Sequence, residues 1–117
     1  MDLDNWIIQL RKGILELCIL NLLNEKEYYG YNLVKKLVSI KKLEAREGSI
    51  YPLLSRLKEQ NLVKTRLEES NEGPVRKYYS LTEEGREFTT LINEYYFCLN
   101  DEIMKLMQGD INEKLDK

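Results

Sequence analysis

From Asn5 to Asn24 apolar residues recur at helical spacing, at Trp6, Ile7, Leu10, Ile14, Leu17/Cys18 and Leu22. Leu15, Ile19, Leu20 and Leu23 thicken the stripe, so the pattern predicts one helix buried on several sides. Asp4 or Asn5 can cap its start, and the polar run Asn24-Glu25-Lys26-Glu27 ends it. A second helix is predicted from about Tyr31 to Ser39, entered through a turn at Gly30. Its inner face is Leu33, Val34, Leu37 and Val38, and Lys35 and Lys36 point outward. Lys41 to Glu47, short and charged around Leu43 and Ala45, reads as a connector able to pair briefly as a strand.

A third helix is expected to begin near Gly48 or Ser49, with Pro52 in its first turn, where a missing N–H loses no partner. Ile50, Leu53, Leu54 and Leu57 face inward. The opposite side carries Pro52, Ser55, Arg56 and Glu59, flanked by Ser49, Tyr51 and Lys58. Leu62–Leu67 and Val75–Leu81 alternate like strands across a polar loop, Glu68 to Pro74, and so predict a β-hairpin. Thr82, with Glu83 and Glu84 behind it, opens a last helix that runs to about Gln108 and stops at Gly109. Its stripe of Phe88, Leu91/Ile92, Tyr95, Leu99, Ile103 and Leu106 extends beyond what so small a domain can cover, and such a stripe seeks a partner helix.

The predicted fold is mainly α with a small β-hairpin: a winged helix-turn-helix over residues 1–82, a dimerisation helix over 83–109, and a polar tail, 110–117. In that architecture the third helix enters the major groove and the hairpin tip reaches the DNA backbone or the minor groove. Bulk charge adds nothing, since 18 Lys and Arg stand against 20 Asp and Glu. Its distribution is uneven: Met1–Gly48 nets +1 (8 basic, 7 acidic), Ser49–Thr82 nets +2 (6 and 4) and Glu83–Lys117 nets −5 (4 and 9).

Several chemistries are disfavoured. The chain has no histidine, which removes imidazole acid-base work, Ser-His pairs and His-bearing zinc sites. It has neither a P-loop nor a G-x-G-x-x-G turn. No catalytic residue, cofactor or metal is therefore expected, and Cys18 and Cys98, each in an apolar stretch, read as core residues. No run reaches the ~18 apolar residues of a membrane span, and the acidic start Met1-Asp2-Leu3-Asp4 is unlike a signal peptide, so a cytoplasmic protein is expected.

The side chains with no core to fill suit nucleic acid. Ser49, Tyr51, Pro52, Ser55, Arg56 and Lys58 on the third helix, with Lys64, Arg66, Arg76 and Lys77 on the hairpin, are candidates for DNA contact. Arg can grip a guanine edge or a phosphate with two hydrogen bonds, and hydroxyls suit phosphate oxygens. Strand alternation sends Arg76 and Lys77 to opposite faces, so at most one need meet a phosphate, and of Tyr78 and Tyr79 one should be core. The net acidity also permits a winged-helix module that binds protein and never DNA, but that surface should be largely apolar.

Arg11-Lys12-Gly13-Ile14-Leu15-Glu16-Leu17, Tyr29-Gly30-Tyr31-Asn32-Leu33, Gly48-Ser49-Ile50-Tyr51-Pro52-Leu53-Leu54-Ser55-Arg56-Leu57 and Arg76-Lys77-Tyr78-Tyr79-Ser80-Leu81-Thr82-Glu83-Glu84-Gly85 together resemble the PadR family of bacterial transcriptional regulators. The resemblance runs from Arg11 to Tyr96; Pro74-Val75 depart from it, where relatives often carry an extra Gly or Arg. It implies a compact member with a single C-terminal helix. Such a protein would be a homodimer, paired through its first and last helices, binding a roughly palindromic double-stranded DNA operator as a repressor that releases on a signal. It also implies that Tyr95 or Tyr96 can line a flat pocket at the dimer centre for a planar aromatic effector, with Trp6, Leu10, Ile92 and Leu99 as its surroundings. Packing of these residues in the dimer seam is the competing reading.

Overall fold

The computed structural model describes residues 2–109, and the expected polar tail lies outside them. Helices α1 (Leu3–Arg11), α2 (Ile14–Glu25), α3 (Gly30–Val38), α4 (Glu47–Glu59) and α5 (Glu83–Gln108) surround a three-stranded antiparallel sheet of β1 (Tyr28–Tyr29), β2 (Val63–Glu68) and β3 (Arg76–Leu81), in the order β1-β3-β2. Helix-turn-helix, hairpin and a long last helix are the architecture expected.

The first predicted helix is two helices. Lys12 leaves α1 in an extended conformation, and Gly13 at φ 86° adopts the left-handed conformation that a side chain disfavours, so the stripe continues in α2 along a new axis. Asp2, not Asp4 or Asn5, caps α1, accepting from the Asn5 N–H at 2.8 Å. No residue of α1 is buried, whereas α2 supplies Ile19, Leu20 and Leu23 to the core.

The core joins those residues to Leu33 and Leu37 of α3, Ile50, Leu54 and Leu57 of α4, and Val63, Tyr79 and Leu81 of the hairpin. Val38, expected inside, is exposed, because α3 buries only the Gly30, Leu33 and Leu37 edge. The connector does not form a strand: Lys41–Leu43 make one 3₁₀ turn that buries Leu43, and Glu44 follows in the left-handed conformation. A strand not foreseen forms at Tyr28–Tyr29, just ahead of the turn at Gly30, pairing Tyr28 with Tyr79 and Tyr29 with Tyr78. Cys18 is half-buried and its thiol is pushed up by that burial, whereas Cys98, expected in the core, is exposed on α5.

The start of α5 is tied to the end of α4. Thr82 caps α5 by accepting from the Gly85 N–H at 2.9 Å, and its hydroxyl donates to the Asn61 carbonyl at 2.7 Å. Gly85 is needed there for close approach, since a Cβ at that position would lie 2.0 Å from the Leu62 carbonyl oxygen. Further along, Asn21 of α2 and Asn93 of α5 exchange two amide hydrogen bonds of 2.8 Å each. Among the described residues no helix is long and apolar enough to cross a membrane.

Gly85→Ala forces backbone away from backbone and is expected to lower stability by about 1–3 kcal/mol, as overpacking does. Urea unfolding of the variant measures it, and an unchanged midpoint would contradict this packing.

Candidate nucleic-acid interface

Helix α4 is divided along its length. Ile50, Leu54 and Leu57 are wholly buried and Leu53 is half-buried, while Ser49, Pro52, Ser55, Arg56 and Lys58 are exposed. The helix begins after Arg46, earlier than expected, so Pro52 stands beyond the first turn and the Gly48 carbonyl lacks its intrahelical donor. Both residues are exposed, so water can serve that carbonyl. The Arg56 side chain is 61% exposed, and its guanidinium lies 3.8 Å from the Glu16 carboxylate, too far for more than weak attraction.

Tyr51 sits differently from its α4 neighbours. It is half-buried, with its hydroxyl 3.6 Å from where a Cβ on Gly30 would project. Burial, then the Glu47 carboxylate and Tyr29, pushes its phenol up, so it is a neutral hydroxyl at neutral pH. It marks the corner where α4, the start of α3 and the sheet meet.

On the hairpin the register sets Val63 against Leu81, Arg66 against Tyr78 and Glu68 against Arg76. Tyr79 is the core member of its pair, and Lys64, Arg76 and Lys77 are exposed. Arg66, expected to be available to DNA, is engaged: it donates to both Glu27 carboxylate oxygens, at 2.9 and 2.6 Å, and lies 4.4 Å over the Tyr78 ring. That pairing was not legible in the sequence because Glu27 and Arg66 meet only through β1, a strand of two residues.

Between α1 and α4 lies a cleft of about 970 Å³ whose walls include Ile7, Ile8, Arg11, Arg46, Ser49 and Arg56. Arg11 and Glu44, both in its lining, form an ion pair. The residues expected around an effector line neither this cleft nor a smaller one beside Tyr29 and Tyr78; Trp6, Leu10, Tyr95, Tyr96 and Leu99 are exposed on α1 and α5, and Ile92 is half-buried. Trp6 is 52% and Tyr95 72% exposed, so both helices present apolar faces that the described residues leave uncovered. Among the described residues no group of three or more His, Cys, Asp or Glu is placed to hold a metal ion.

The model of the transcriptional regulator PadR-like family matches residues 19–90. A PadR-like transcriptional regulator from Bacillus cereus is 39% identical, with a TM-score of 0.77 over 86% of this chain and 98% of its own. A PadR-like transcription factor from Bacteroides fragilis is 37% identical, with a TM-score of 0.72 over 87% of this chain and 98% of its own. A Streptococcus transcriptional regulator is 35% identical, with a TM-score of 0.75 over 85% of this chain and 97% of its own.

The hydrogen bond from Arg66 holds the Glu27 carboxyl below the usual carboxylate range. A lowered folded value means that the pair stabilises the fold above the ordinary carboxylate range and that this contribution fades as pH falls through the lowered value. Carboxyl-carbon NMR should find Glu27 titrating below the usual carboxylate range and rising toward it in Arg66→Gln; an ordinary titration in the wild type would contradict the pairing.

Proposed function

The chain belongs to the PadR-like family of transcriptional regulators, and from that membership we propose that it acts in the cytoplasm as a homodimeric repressor on a palindromic operator. The observation that carries this reading is the divided α4 surface: one face is core, and the other offers Ser49, Pro52, Ser55 and Arg56 to solvent with no packing role. Tyr51 and Lys58 of α4, with Lys64, Arg76 and Lys77 of the hairpin, complete the proposed DNA contact set. The family is one of regulators, not enzymes.

Pairing of two copies is supported by the uncovered apolar side chains of α1 and α5. Residues 1–82 would then carry the DNA contacts and 83–109 the dimer seam. Trp6, Leu10, Ile92, Tyr95, Tyr96 and Leu99 would meet near the two-fold axis and offer flat apolar walls to a planar aromatic effector, whose binding would release the operator.

Affinity should come largely from phosphate neutralisation and fall steeply with salt. Gel-shift titration against the protein's own upstream DNA is expected to show this, and Arg56→Ala or Tyr51→Ala to weaken specific binding by about 1–3 kcal/mol if base edges are read. A purified dimer with no salt-sensitive binding would remove the reading. For the seam, Tyr95→Lys with Leu99→Lys should shift sedimentation from dimer to monomer; an unshifted dimer would place the pairing elsewhere.

A further inference from the structure

We propose that Tyr29, Tyr31, Lys35 and Arg76 form a clamp for the phosphate backbone of duplex DNA, on the wing side of the α4 face. The inference rests on the DNA-binding reading above and adds to it a surface built by α3 and the sheet.

The register supplies the first part. Tyr29 of β1, Tyr78 of β3 and Arg66 of β2 are neighbours in one row across the sheet, and so lie on one face. Arg76, two residues before Tyr78, shares that face, while Lys77 falls on the other with Tyr79. Across this row the Tyr29 and Tyr78 rings are 5.8 Å apart, and the Arg76 guanidinium lies 5.0 Å from the Tyr29 ring centre. The chain then turns through Gly30 into α3, where Tyr31 stands 6.2 Å from Tyr29 and the Lys35 ammonium 5.4 Å from the Tyr31 ring.

The cations in this array differ in their commitments. Arg66 is spent on Glu27, but among the described residues neither Arg76 nor Lys35 forms a salt bridge. Each lies against a tyrosine face, an attraction that holds the long side chain in place and leaves its N–H donors open. Ordering such a chain beforehand lowers what binding costs in entropy. Tyr31, 58% exposed, adds a phenol hydroxyl to the same surface. Two carboxylates share this face, Glu27 and Glu68, and Arg66 lies against both; Arg76 and Lys35, with the Tyr31 phenol, are the groups left to meet phosphate oxygens.

Topology aims the array. Because β1 runs antiparallel to β3, the chain enters α3 at the level of Tyr78, toward the hairpin tip. The Tyr51 hydroxyl of α4 lies at Gly30, between Tyr29 and Tyr31 in the chain, so the clamp begins where α4 meets the start of α3. Backbone contacts of this kind fix orientation on the duplex and carry no sequence information.

The test measures the slope of log binding constant against log salt for the full-length protein on its upstream duplex and on a scrambled duplex. Lys35→Gln combined with Arg76→Gln is expected to flatten the slope by about 1.8, at about 0.9 per phosphate contact, equally on both duplexes. Tyr31→Phe should weaken both several-fold, leaving their ratio intact. Lys105→Gln on α5 removes one charge away from the clamp and should leave the slope unchanged. Lys35 and Arg76 are exposed, and thermal melts check that the variants fold. Wild-type slope in the double variant, or an equal flattening by Lys105→Gln, overturns the clamp while leaving the regulator reading intact. A wild-type protein with no salt-sensitive binding to either duplex overturns both.

Discussion

Ile50, Leu54 and Leu57 of α4 are wholly withdrawn from water, packed among α2, α3 and the hairpin. Burying each such side chain contributes about 1.5–3 kcal/mol, so rolling the helix to expose them would cost more than any surface contact on its far side returns. The orientation of Ser49, Pro52, Ser55 and Arg56 therefore follows from the core. The weak Arg56–Glu16 attraction at 3.8 Å could not set it.

The long helix is held by a different kind of contact. Gly85 against the Leu62 carbonyl fixes where α5 leaves the domain, and the Asn21–Asn93 amide pair fixes its register on α2. Past that pair the helix carries Tyr95, Leu99, Ile103 and Leu106, which the described residues leave exposed. α1 is in the same condition, with no buried residue and a left-handed glycine behind it. Under the proposed dimer these two weakly held elements cover one another across the seam, and the spacing of the two α4 helices depends on that cover. An effector entering there would act on the spacing and need not touch α4.

Much of this was legible in the sequence because periodicity reports which face of an element is buried. The α4 wheel, the hairpin alternation and the Thr82 and Gly109 boundaries of α5 all appear as expected. What escaped was whatever depends on a single backbone conformation or a contact distant in sequence. Gly13 interrupts no apolar stripe, so the break between α1 and α2 was hidden by a pattern that continues through it. β1 is too short to alternate, and without it neither the Glu27–Arg66 pair nor the Tyr29–Tyr78 row could be foreseen. Cys98 lies in an apolar stretch that read as core, but the stretch faces away from its own domain.

The central claim is that two copies present their α4 faces to one duplex, about one helical turn apart. Incubating the purified protein with random genomic fragments and sequencing those it retains tests this most directly. The account predicts an enriched inverted repeat with half-site centres about 34 Å, one DNA turn, apart. Fragments enriched for a single unrepeated site, or no enrichment at all, would contradict it.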